Sequence, residues 1–208
     1  MTTPIFSYNA DIERNAYLNW RTDKNDQSSN LFVFASDYAD AAIALINTIL
    51  EDNRDKKADA LIMPILYDID QSIELYIKAI IRRIEELNGN QISVYKTHDI
   101  YALERELVSK IKRKESTSKG LDKHLSPVTA FIDELYQKIK GKVDNGRVEI
   151  NIDFARYPFN VDGVAHFYIN EDDNVVIDVE NLGHRFSKIR DSLEALYLMY
   201  DNEKEQSY

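Results

Sequence analysis

The sequence has no cysteine among its 208 residues. This absence excludes disulfide bonds, thiolate metal sites and a cysteine nucleophile. The six glycines are scattered instead of gathered in a phosphate-binding loop, and no serine lies in a nucleophile-elbow motif. No His-Glu-x-x-His motif or other carboxylate–histidine cluster predicts a metal site. We therefore expect no cofactor and no metal, so that any chemistry depends on Arg, His, Glu, Lys and Tyr side chains.

Long apolar runs are also lacking. The two most apolar stretches, 41–50 and 60–66, are too short to span a membrane and are flanked by charged residues. The first ten residues have neither the basic segment nor the apolar segment of a secretory signal. We expect a soluble cytoplasmic protein that does not contact a membrane.

The charge is strongly acidic, with 36 Asp and Glu against 26 Lys and Arg, which gives a formal net charge of −10. This balance argues against a protein that coats nucleic acid along its whole surface, although it permits a local basic patch. One such patch is present at Lys110, Lys112, Arg113 and Lys114. It either contacts nucleic-acid phosphates or is a solvated charged segment.

Apolar residues recur at helical spacing over most of the chain and predict helices at about 30–53, 58–87, 97–112 and 126–141, with a last helix from about 181. A serine at 28 or 29 is the expected cap of the first helix, and Ser126 with Pro127 predicts the start of the fourth. The predicted core face of the first helix consists of Phe34, Tyr38, Ala42, Leu45 and Ile49.

Between the fourth and last helices the apolar period changes from helical spacing to two. Val148, Ile150, Ile152 and Phe154 alternate with polar residues, and a second alternating pair spans 165–179. This pattern predicts a small antiparallel β-hairpin or three-stranded insertion at about 147–180. The predicted fold is mainly α: an N-terminal arm at 1–28, followed at 29–208 by one up-down bundle of about five helices that carries the insertion.

Three short segments, in order, carry a family resemblance. Residues 72–80 read SIELYIKAI, residues 96–103 read KTHDIYAL, and residues 155–158 read ARYP. They resemble the A-x-E-L-x-L-K-A-L helix, the H-D-L-x-x-L helix start and the downstream R-Y-P tripeptide of HEPN domains (higher eukaryotes and prokaryotes nucleotide-binding). The resemblance covers roughly residues 30–200.

The resemblance implies a bundle of four or five helices, commonly a homodimer. Many HEPN domains are metal-independent ribonucleases of toxin–antitoxin or phage-defence systems, with a catalytic R-x(4–6)-H motif in which Arg steadies the phosphate and His transfers protons. None of the four histidines here has an arginine at that spacing, and Arg156 precedes His166 by ten residues. Other HEPN-like proteins lack the motif and act as binding or dimerising modules.

Five residues are candidates for a binding site. Arg156 offers a planar guanidinium for phosphate and Tyr157 a ring for stacking, or Arg156 is a buried partner of a bundle carboxylate such as Glu74. His98 is a phosphate contact or proton donor, or it only orients the start of its helix. Glu74 and Lys78, four residues apart, form either a surface ion pair or a polar site within the bundle.

Three functions follow. The first is a HEPN-like protein of bacterial or phage origin that binds a nucleotide, RNA or a protein partner without cutting RNA. The second is a divergent ribonuclease that uses Arg156 with His98 or His166. The third is an acidic accessory protein whose charge attracts a basic protein partner.

Overall fold

The computed structural model describes residues 4–90, 97–114, 121–139, 152–160, 162–169 and 172–206. Within these ranges the chain forms five α-helices: α1 (Gln27–Glu51), α2 (Lys57–Leu87), α3 (Ile100–Lys114), α4 (Leu121–Ile139) and α5 (Val179–Glu205). Two short 3-10 helices lie at Ile12–Arg14 and Ile152–Ala155. The prediction of a mainly helical bundle is confirmed.

The central element of the bundle is α2. It packs against α1, α3, α5 and the 3-10 helix at Ile152–Ala155. Because neighbours cover it on several sides, side chains are buried around most of its circumference between 69 and 85. This burial includes polar groups, which must therefore find partners inside the bundle.

The core face of α1 differs from the predicted one. Ala42 and Ile49 are buried as predicted, but the other three predicted positions are replaced in the core by the next residue along the chain (Ala35, Ala39 and Ile46), and Phe34 is 46% exposed. The alanines let the backbones of α1 and α2 approach, and the Ser28 hydroxyl donates to the carbonyl oxygen of Ala79 at 2.8 Å. The predicted serine cap is also wrong, because the side chain of Asp26 accepts from the Ser29 N–H at the start of α1.

The predicted start of α4 at Ser126 and Pro127 is wrong as well. The helix begins at Leu121, so Pro127 lies inside it. Leu125 is buried on the same side as Val128 and Ile132, at steps of three and four. Burial of this earlier residue favours helix upstream of the proline.

The β insertion predicted at 147–180 is not supported. In the described part of that segment there is no strand, only the 3-10 helix, turns and one isolated bridge between Phe159 and Ala165; positions 148 and 150 lie outside the described residues. The rings of His166, Phe167 and Tyr168 all pack around Phe154, at centroid distances of 5.4–6.5 Å. Three consecutive side chains cannot gather on one partner in a strand, where successive side chains point to opposite faces.

The predicted apolar face of the last helix is confirmed. Its core residues are all buried: Leu182, Phe186, Ile189, Leu193, Leu196 and Tyr200. The helix begins at Val179 and is capped by Asp178, whose carboxylate accepts from the Asn181 N–H.

Among the residues that the structure describes, one helix, α1, is long and apolar enough to cross a membrane by length and composition alone. In the bundle it packs against α2 and α5. The expected cytoplasmic location stays a prediction.

Candidate functional site

Glu74 and Lys78 form a buried ion pair on α2. The Lys78 Nζ lies 2.7 Å from Glu74 Oε1, and the two residues are 8% and 2% exposed. The two side chains therefore pair within the bundle and not at its surface. Each charge stabilises the other, because an unpaired buried charge is strongly unfavourable.

His98 completes a cluster with this pair. Its Nδ1 lies 3.1 and 3.2 Å from the two carboxylate oxygens of Glu74, while 67% of its side chain is exposed. Because a carboxylate only accepts hydrogen bonds, Nδ1 carries the proton and Nε2 is the nitrogen left for an external group. The structure thus brings three of the five predicted residues together, with one exposed imidazole anchored on a buried carboxylate.

Asp99, directly after His98, caps the start of α3. Its Oδ1 accepts from the backbone N–H groups of Tyr101 at 3.0 Å and Ala102 at 3.1 Å and from the Tyr136 hydroxyl at 2.8 Å. Burial, with the neighbouring Asp99 carboxylate, raises the pKa of the Tyr136 hydroxyl far above its usual range. Two backbone donors at this helix end are thus already used by Asp99, and His98 is an exposed side chain beside them.

Arg156 and Tyr157 follow the 3-10 helix at Ile152–Ala155, and Arg156 packs beside a different part of α2, at Tyr67. The guanidinium carbon of Arg156 is 5.7 Å from the ring centroid of Tyr67 and 5.3 Å from that of Tyr157. Tyr67 precedes Glu74 by two helical turns, about 10 Å along the axis. The carboxylate of Glu74 pairs with Lys78 and His98, so the suggested Arg156–Glu74 pair is not formed.

His166, the other histidine of the ribonuclease hypothesis, is 4% exposed. Its ring is nearly parallel to that of Tyr168, at 6.4 Å, and meets Phe154 edge-on at 6.5 Å. The ring belongs to the aromatic cluster and does not face solvent. Of the two histidines named in that hypothesis, only His98 is accessible to a substrate.

The basic patch divides into two halves. Lys110 pairs with Glu85 at 2.8 Å, and Lys114 pairs with Glu203 at 2.5 Å. Lys112 and Arg113 are exposed and form no ion pair among the described residues. Half of the predicted positive charge is therefore paired with carboxylates of the protein itself, and half is available at the surface.

The sequence interpretation missed Arg105. This exposed residue lies on α3 with its guanidinium carbon 5.4 Å from the ring centroid of Tyr101. It precedes Lys112 by seven residues, or about two turns, which places both on the same side of α3. We call Arg105, Lys112 and Arg113 the α3 cations. The seven-residue spacing was the available signal.

Arg83 was also missed, and its role is structural. The side chain is 1% exposed and pairs with Asp26 at 2.9 Å, Glu86 at 2.7 Å and Asp201 at 2.9 Å. It also donates to the Tyr197 hydroxyl at 2.8 Å. One guanidinium thus joins the start of α1, the end of α2 and the end of α5.

No protein-family model matches this chain, and neither does any curated protein or any solved structure.

Proposed function

We propose that the chain is a HEPN-like binding module that holds nucleotide or RNA phosphates at His98 and along the α3 cations, without the R-x(4–6)-H ribonuclease motif. Its setting is bacterial or phage defence, or toxin–antitoxin biology, as the sequence resemblance implies. The observation that carries the proposal is the exposed imidazole of His98, fixed at Nδ1 by the buried Glu74.

A fixed imidazole suits phosphate recognition because its orientation is set before the ligand arrives. Phosphate oxygens only accept hydrogen bonds, so the ring binds them in its doubly protonated form, with Nδ1–H on Glu74 and Nε2–H donating to the phosphate. Glu74 is itself neutralised by Lys78, so the carboxylate beneath His98 repels an anion less than a free one would. The α3 cations supply further positive charge along the helix that follows His98. Three phosphate contacts on a single strand predict a slope of about −2 in a plot of log affinity against log salt.

The test is fluorescence polarisation of a labelled single-stranded RNA and of a labelled nucleotide with the purified full chain. His98→Ala should weaken binding about tenfold, the size of one hydrogen bond to a charged group. The matched control is His184→Ala, which removes an exposed histidine from α5 and should leave affinity unchanged. Equal affinity of the two variants, or no binding by the parent chain, would contradict the proposal.

The α3 cations have their own control. Combined Arg105→Ala, Lys112→Ala and Arg113→Ala should flatten the salt slope for RNA. Arg185→Ala should not, although it too removes a positive charge, because Arg185 lies on α5 and pairs with Glu134. A salt slope that is unchanged in the triple variant would remove α3 from the interface.

A second candidate function, ribonuclease activity, is favoured by the same Glu74–His98 contact. A carboxylate that holds Nδ1–H leaves Nε2 to act as a general base. In that reaction Nε2 would take the proton of a 2′-hydroxyl, whose oxygen attacks the adjacent phosphorus, while the bond to the 5′-oxygen breaks and that oxygen takes a proton from water, with Arg156 steadying the phosphate. Cleavage of labelled RNA in EDTA, lost in both His98→Ala and Arg156→Ala but kept in His184→Ala, would establish it. Binding without cleavage supports the binding module instead.

A further inference from the structure

A second feature lies on the outward face of α1. Phe34, Asp37, Tyr38 and Ala41 of α1 and Asp68 of α2 line a cavity of about 340 Å³, which we call the acid-edged groove. Helices α1 and α3 both pack on α2 but do not contact each other. The groove is thus separate from the proposed phosphate site.

The floor of the groove is apolar because of how α1 packs. The helix turns its alanines toward α2, which leaves larger side chains on the outer side. Phe34 is nearly half exposed, and the ring of Tyr38 meets that of Tyr67 edge-on at 6.4 Å. Large apolar side chains that share an outer helix face are characteristic of interaction surfaces.

The carboxylates of α1 at and beside the groove show which charge they accept. Arg21 of the N-terminal arm donates to Asp37, which lines the groove. One turn along the same helix, outside the groove lining, Arg190 of α5 pairs with Asp40 at 2.8 Å. Cations from other elements therefore pair with the carboxylates of α1.

Asp68, on the opposite edge of the groove, has no hydrogen-bond or ion-pair partner in the part of the chain that the structure describes. Burial raises the pKa of its carboxyl group. A partly desolvated carboxylate without a cation gains more from an incoming ammonium or guanidinium group than a fully hydrated one does.

We propose that the acid-edged groove docks a basic amphipathic helix of a partner protein. A lysine or arginine of that helix pairs with Asp68, and its neighbouring apolar side chains cover Phe34, Tyr38 and Ala41. This is the helix-in-groove mode of recognition, with the charge of the groove selecting a basic segment. The proposal is independent of phosphate binding, because it uses a different pair of helix faces.

The probe is a synthetic amphipathic helix built only of Leu and Lys, labelled at one end and titrated with the full chain. Asp68→Lys should weaken its binding about tenfold, equivalent to about 1.4 kcal/mol, and Asp68→Asn should weaken it less. The matched control is Asp133→Lys, the same charge reversal at an exposed position of α4, which should change affinity less than about twofold. Far-ultraviolet circular dichroism confirms that each variant is folded, and Asp68→Asn decides the matter if Asp68→Lys does not fold.

Selective loss of binding in the Asp68 variants supports the proposal. It is overturned if the peptide fails to bind, if a control peptide with Glu in place of every Lys binds equally well, or if Asp133→Lys weakens binding as much as Asp68→Lys. Sedimentation supplies one more decisive outcome. If the parent chain self-associates and Asp68→Lys abolishes that association, a second copy of this chain occupies the groove, and the proposed partner is wrong.

Discussion

Replacing Arg83 by methionine is the sharpest test of how the bundle is held together. The substitution keeps an unbranched apolar stem but removes the cation that Asp26, Glu86 and Asp201 share. It also takes a hydrogen bond from the Tyr197 hydroxyl. The three carboxylates are then left close together around an uncharged side chain.

The expected loss of stability follows from the burial of each group. Breaking a buried ion pair by removing one partner costs about 3–5 kcal/mol. The carboxylate side chains are not fully buried, with exposures of 27% for Asp26, 16% for Glu86 and 31% for Asp201, so water relieves part of the cost. Lys204 relieves more, because its Nζ lies 3.0 Å from Glu86 Oε2. We expect the lower end of the range, about 3 kcal/mol.

Urea denaturation followed by circular dichroism measures this loss. With a typical slope of about 2 kcal/mol per molar urea, the midpoint should fall by about 1.5 M while the slope stays constant. The adjacent Arg82→Met is the control, because Arg82 is a quarter exposed and makes one ion pair, with Glu86 at 3.4 Å; it should cost less than about 1 kcal/mol. If the two variants lose the same stability, Arg83 does not join the three helices as argued.

Three further predictions concern neighbouring groups. The pKa of the Asp26 carboxyl is lowered, because the hydrogen bond from the Ser29 N–H and the charge of Arg83 together outweigh the effect of burial. The contribution of Asp26 to stability is full above its unfolded pKa of 3.8 and is lost as the pH falls through the lower folded pKa. Asp26→Asn should therefore flatten acid unfolding curves in that range. Tyr76→Phe should cost about 1.5–3 kcal/mol in urea denaturation, because the hydroxyl lies 2.6 Å from Glu194 Oε1, a charged acceptor. Glu74→Gln leaves Lys78 without its anion and should lower the thermal midpoint in calorimetry, by about 6–12 °C for a loss of about 3 kcal/mol in a domain of this size.

The long helices could be predicted because their apolar residues recur over many turns. In α5 one stripe is apolar and the rest is polar, so a single burial pattern fits the sequence. In α1 the sequence is apolar on several sides, and spacing alone does not reveal whether Phe34 or Ala35 faces the core. The close approach to α2 decides in favour of the alanines, and that is a property of two helices together.

The segment before α5 shows a different limit. Its alternating apolar residues fit a strand, but Phe154 gathers three consecutive side chains around its ring, at 166, 167 and 168. Packing between residues more than ten positions apart outweighs the local pattern.

Helical spacing predicts that Glu74 and Lys78 face each other, but not whether the pair lies at the surface or within the bundle. Glu74 and Lys78 lie four apart, and the structure pairs them inside the bundle. The contact of His98 with Glu74 joins two elements 24 residues apart, and the Arg83 network joins three helices. Neither has a local signature in the sequence, since each depends on how the helices pack.

The most direct test of the central claim is a nuclear magnetic resonance titration of the histidine side chains. The chain has four histidines, so long-range proton–nitrogen spectra are simple, and His98→Ala and His184→Ala assign the two exposed rings. On addition of single-stranded RNA or nucleotide, we predict that the ring resonances of His98 move while those of His184 stay in place. Ring resonances of His98 that do not move at saturating ligand would contradict the account.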